Sequence, residues 1–236
     1  MAALNRGMID VVLVSYKNIG DFILRMHVIR PVQSFDTPRP AVIFFFCGAW
    51  TAFDATKFFP QSTYLASRGM VCFNAEVRVE PIHGTTAIEC VMDAKSAVRW
   101  VRANAASLGI TPDRVTVSGG SAAGHVAACC GVVDGFDDPA DASSSISSKP
   151  DAMVLFNPTL DTISLDRRIK RFGGLETARS LSPLHNVRPG APPSLVMHGR
   201  ADELVDVDET IRFGEAMVAA GNHCDVRLYE NQGHGF

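Results

Sequence analysis

The sequence predicts an α/β fold, an open and mostly parallel sheet with helices on both of its faces. Short apolar runs rich in β-branched and aromatic residues recur along the whole chain, and segments of helical period separate them. The first two runs alternate in polarity and sit a short turn apart, whereas AVIFFF and DAMVLF are nearly continuous, as in strands covered on both faces.

The series begins with DVVLVSY and FILRMHVIR, which read as an antiparallel hairpin turning around residues 18–21. AVIFFFC, MVCFNAEV, RVTVSG, DAMVLFN, PSLVMHG and CDVRLYE follow as six further strands, about eight in all. The strongest helical pattern lies at 85–109, where Ile88, Val91, Ala94, Ala97, Val98 and Val101 recur at three- and four-residue spacing. Thr85 or Thr86 offers a cap before it and Gly109 a stop after it. Helices are also expected at about 54–68, 122–133 and 207–220. The Ser- and Asp-rich stretch 137–149 reads as an exposed loop, and 160–190 as a modest insertion, at most a small cap. A chain of 236 residues fits one domain over 1–236.

A formal charge of −3 with 20% charged residues gives no electrostatic ground for a nucleic-acid partner. The N-terminal stretch MAALNRGMIDVV has no uninterrupted apolar core like that of a signal peptide, and no window offers the roughly 18 uncharged apolar residues of a membrane span. The expectation is a cytoplasmic protein with no membrane partner. Cys47, Cys72, Cys90, Cys129, Cys130 and Cys224 lack C-x-x-C spacing and read as reduced, mostly buried residues. With no H-E-x-x-H or comparable spacing, neither a metal nor a cofactor is expected.

RVTVSGGSAAGHVAACC contains a serine with chemical potential. A strand ends near Val117, small residues surround Ser121, and a helix begins at once. A nucleophile held out on a sharp strand-to-helix turn needs small neighbours, and Gly119, Gly120, Ala122, Ala123 and Gly124 supply them. G-x-S-x-G itself is not met, because Ala123 stands at +2; this stretch alone also fits a Gly-rich phosphate-binding turn. Asp202 and His234 narrow the choice, since each follows a strand and the three come in the chain order Ser, Asp, His. His234 would then be the general base and Asp202 its orienter. Oxyanion donors would be the N–H of Ala122 and a group from the loop FFFCGAW.

These residues, with YLASRGMV, A-E-x-R at 75–78, HGTT, DAKSAVRWVR, LFNP, SPLH, HGRAD and GHGF, make the chain from about residue 11 onward resemble the α/β-hydrolase esterases of the acetyl-esterase and hormone-sensitive-lipase type. The resemblance implies Ser121, Asp202 and His234 as triad, a small-molecule ester substrate with a short acyl group, and Gly48 and Ala49 as oxyanion donors. One departure stands out: Cys47, Gly48 and Ala49 replace three glycines, and a turn requiring φ > 0 at 47 or 49 would be resisted there. Trp50 and Phe53 are candidate pocket walls, and His125 is expected to pack or to bond a neighbouring loop. Glu76 and Arg78 are expected to pair beneath the site. Two rival readings are an exopeptidase with the same triad and a non-catalytic binding protein with an altered CGA loop.

Overall fold

The structure, a computed structural model, describes residues 8–33, 35–141, 143–164 and 166–235. MAALNRG, residues 1–7, and Phe236 of GHGF lie outside the described residues. In chain order the elements are β1 (Ile9–Ile19), β2 (Phe22–Pro31), β3 (Arg39–Phe45), β4 (Cys47–Gly48), β5 (Ala52–Phe53), α1 (Phe59–Ser67), β6 (Val71–Ala75), α2 (Glu80–His83), α3 (Ala87–Ala103), α4 (Ala105–Leu108), β7 (Ile110–Gly120), α5 (Ala122–Val132), β8 (Ala152–Phe156), α6 (Asp166–Arg171), α7 (Leu175–Ser180), β9 (Ser194–Gly199), α8 (Val207–Ala219) and β10 (Cys224–Tyr229).

Eight of the strands form one sheet in the order β1-β2-β6-β3-β7-β8-β9-β10. β2 is antiparallel to both β1 and β6, and every later pairing is parallel. The two-residue period of a strand sorts the core into two layers. On β3, Ala41, Ile43 and Phe45 join the large cluster that includes α3 and α5, while Val42 and Phe44 face a smaller one with Phe58 and Ala66 of the α1 side. β6 divides in the same way, Val71, Phe73 and Ala75 against Cys72. All residues of α5 are buried, which explains a helix apolar around its whole circumference.

The predicted 85–109 helix is interrupted. Thr86 and Glu89 form a capping box at its start, but Asn104 turns its amide back onto the Trp100 carbonyl at 2.8 Å, and α4 follows before Gly109 at φ 66 ends the run. A second correction concerns Glu76 and Arg78, which do not pair. Glu76 accepts the Arg25 N–H at 2.7 Å, and Arg78 takes buried Asp93 in a two-pronged ion pair. The described residues of 137–149 carry no strand or α-helix, only a short 3-10 turn at Pro139–Asp141, and are anchored: Lys17 pairs with Asp138 at 2.7 Å, and Arg99 with Asp137 at 2.6 Å.

Candidate active site

Ser121 occupies the junction between β7 and α5 with φ 56 and ψ −125, a conformation L-residues avoid. Its backbone is fixed on both sides: the N–H donates to the Phe156 carbonyl at 3.0 Å, and the carbonyl accepts from His125 and Thr159, each at 3.1 Å. The turn is tight enough that a Cβ on Gly119 would stand 2.4 Å from the Ala123 carbonyl oxygen. Small neighbours are therefore a steric requirement of the elbow.

Beyond the carboxyl ends of β9 and β10, Asp202 and His234 meet. His234 Nδ1 lies 2.8 Å from Asp202 Oδ2, and the other carboxylate oxygen accepts the N–H groups of Leu204 and Val205 at 2.9 and 3.0 Å. Burial by itself would raise the Asp202 carboxyl, but the Val205 N–H, the His234 ring and the Leu204 N–H outweigh it and hold its pKa below the usual value. The Asp202 side chain is fully covered, while His234 keeps 20% of its surface exposed. An accessible imidazole is thus oriented by a buried carboxylate.

Residues 47–53 form a small antiparallel ribbon, β4 against β5, that the sequence did not reveal. Two overlapping turns close it: Trp50 N–H to the Cys47 carbonyl at 2.8 Å and Thr51 N–H to the Gly48 carbonyl at 3.0 Å. The left-handed positions fall at Ala49 (φ 50) and Trp50 (φ 60), so the departure from three glycines places strain at 49 but not at 47. Trp50 is 5% exposed, donating its indole N–H to His125 Nδ1 at 3.2 Å and packing edge-on against Phe172. His125 contacts the Leu181 carbonyl through Nε2 at 2.8 Å, so it braces this loop to the end of α7. Phe53, at 37% exposure, is open to solvent.

Four residues in and around this site were not singled out in the sequence. Asn157, at φ 37 just past β8, brings its amide nitrogen to 3.3 and 3.4 Å from the two His234 ring nitrogens. Asn-Pro at a strand end was the available signal, because Asn tolerates φ > 0. His198 also reaches Asp202, and its position in HGRAD, four residues earlier, was visible in the sequence. Arg168 and Glu209 form a buried ion pair that ties α6 to α8, and Glu209 further accepts the N–H groups of Leu160 and Asp161. Among the described residues no group of three or more His, Cys, Asp or Glu could hold a metal ion.

Sheet order, strand-to-helix elbow and Asp–His pair together define the α/β-hydrolase fold. Within it the chain belongs to the BD-FAE family, whose sequence model matches residues 26–217. Esterase LipC of Mycobacterium tuberculosis is 30% identical over 220 residues, covering 84% of this chain and 53% of that protein. An acetylxylan esterase of Xylanibacter ruminicola is 28% identical, covering 75% of this chain and 37% of its own length. Among solved structures, Thermogutta terrifontis esterase 2 phosphorylated by paraoxon superposes with a TM-score of 0.88 at 38% identity, over 96% of this chain and 84% of that one. The chain spans about half the length of the curated relatives it matches, 53% for LipC.

Proposed function

We propose that the protein is a serine carboxylic ester hydrolase that works through an acyl-enzyme on Ser121. One observation carries this reading: a serine held at φ 56 on the same edge of the sheet as a histidine bonded to a buried aspartate at 2.8 Å. Ser121 Oγ gives its proton to Nε2 of His234 and adds to the ester carbonyl. The N–H groups of Ala122, at the head of α5, and of Gly48 and Ala49 receive the developing oxyanion. Collapse expels the alcohol, which takes the proton from His234; water then repeats the sequence and releases the acid. Asp202 holds the imidazole tautomer and stabilises its cation.

A short acyl group fits the small cap, in which α6 and α7 have six residues each. The alcohol part of the ester is proposed to be bulky, either hydroxyl-rich or aromatic, because a small cap leaves the site open. Similarity to an acetylxylan esterase supports an acetylated carbohydrate as one such alcohol, and aryl esters fit an open site equally. Phe53, exposed at the loop's edge, is proposed to border the entrance, and Trp50 to act as a wall from within. The domain is proposed to act as one unit over 1–236. Six free cysteines, five of them buried, support a reducing cytoplasmic setting, and among the described residues no helix is long and apolar enough to cross a membrane.

Hydrolysis of p-nitrophenyl acetate, butyrate, octanoate and laurate, with acetylated xylan alongside, tests the proposal. Rates should fall with acyl length and drop by about 10³-fold or more on Ser121→Ala. Equal turnover by wild type and the variant would refute it.

A further inference from the structure

Two imidazoles meet one carboxylate oxygen. Asp202 Oδ2 lies 2.8 Å from His234 Nδ1 and 3.0 Å from His198 Nε2. His198, near the end of β9, is fully buried. Its tautomer follows from its surroundings. Nε2 faces two acceptors, the carboxylate and the Val205 carbonyl at 3.2 Å, and must carry a proton; Nδ1 lies 2.7 Å from Thr210 Oγ1 and accepts the hydroxyl proton. Burial lowers the pKa of the ring despite the opposing pull of Asp202, which keeps it neutral. The charged groups facing it are Asp202 itself, with His234 beyond, and Glu209 from α8, which Arg168 of α6 pairs.

We propose that His198 is a positioning residue for ester hydrolysis: its Nε2–H holds the oxygen of Asp202 that orients His234, and Thr210 fixes the tautomer that makes this bond. The inference rests on the triad reading of Ser121, Asp202 and His234. A second donor on the same oxygen disperses the carboxylate charge that the His234 ring faces and fixes the direction in which that oxygen meets it. Loss of the donor concentrates that charge against the His234 ring and frees the carboxylate to turn, a change that a pH profile reads and that lost packing alone does not produce.

The test is the pH dependence of kcat/KM on p-nitrophenyl acetate for wild type, His198→Leu, His198→Gln and Thr210→Val. His198→Leu should move the acid limb upward by about 0.5–1 pH unit and lower kcat/KM at neutral pH by about 10–100-fold. Thr210→Val, which preserves volume, should move the limb the same way by less, and His198→Gln, which can present an N–H at the same place, should stay near wild type. Thr210→Val carries the test if His198→Leu does not fold. Acid limbs that superpose on wild type, whatever happens to the melting temperature, overturn the inference while leaving the triad standing. A Ser121→Ala variant as active as wild type instead overturns the triad reading, and the inference with it.

Discussion

At Ser121 a single residue carries backbone strain at the point where the chemistry is proposed. The cost, of the order of 1–3 kcal/mol for such a conformation, is met by the surrounding bonds from Phe156, His125 and Thr159. His125 shows the same economy in another form. Its ring is wholly enclosed between Trp50, Phe172 and the Leu181 carbonyl, and burial takes its pKa from 6.5 down to about 4 against the opposing effect of the Leu181 bond. In the unfolded chain the ring protonates near 6.5, whereas folded it stays neutral until about 4. Between these values the unfolded state binds the extra proton, so stability is full above about pH 6.5 and falls as pH drops toward 4, by an amount on the order of 3 kcal/mol. Replacing His125 by Gln should flatten the melting temperature against pH in that window; parallel curves for the two proteins would contradict this. Residue by residue, the proposed triad could be read from the sequence because each member follows a strand in the order Ser, Asp, His. His198 and Asn157 were not, because their significance lies in which atoms they meet across separate strands.

Elements were legible wherever periodicity was long. All eight strands of the main sheet, the hairpin and α1, α3, α5 and α8 fall on the segments that patterning predicts. The β4–β5 ribbon escaped because two-residue strands have no period to read, and α6 and α7 because six-residue helices barely show one. The break at Asn104 likewise depends on a side-chain bond to Trp100, not on a change of pattern. The histidine loop is placed by close contact between elements: a Cβ on Gly199, at the end of β9, would stand 2.2 Å from the Gln232 carbonyl oxygen. Backbone at that distance must move. Gly199→Ala should displace the loop bearing His234 and lower kcat/KM for p-nitrophenyl acetate by about 100-fold, with little change in far-UV circular dichroism. Activity within twofold of wild type would show that the loop's position is set elsewhere.

On the scale of the molecule, a parallel sheet delivers every proposed catalytic group to one edge. β7 leads into Ser121, β8 into Asn157, β9 precedes Asp202 and β10 precedes His234, so residues 113 apart in sequence at the extremes share one edge of the sheet without any local motif joining them. The small cap is bound into this arrangement twice, through Phe172 against Trp50 and through Arg168 against Glu209. Overall charge and composition could not point to this edge; strand order and chain order together did. Whether Ser121 is the nucleophile is read by peptide mapping with mass spectrometry after incubation with paraoxon. One diethylphosphoryl group per chain, located on Ser121 and appearing in step with loss of p-nitrophenyl acetate hydrolysis, is the predicted result. An unmodified Ser121 in protein whose esterase activity has been lost to paraoxon would contradict it.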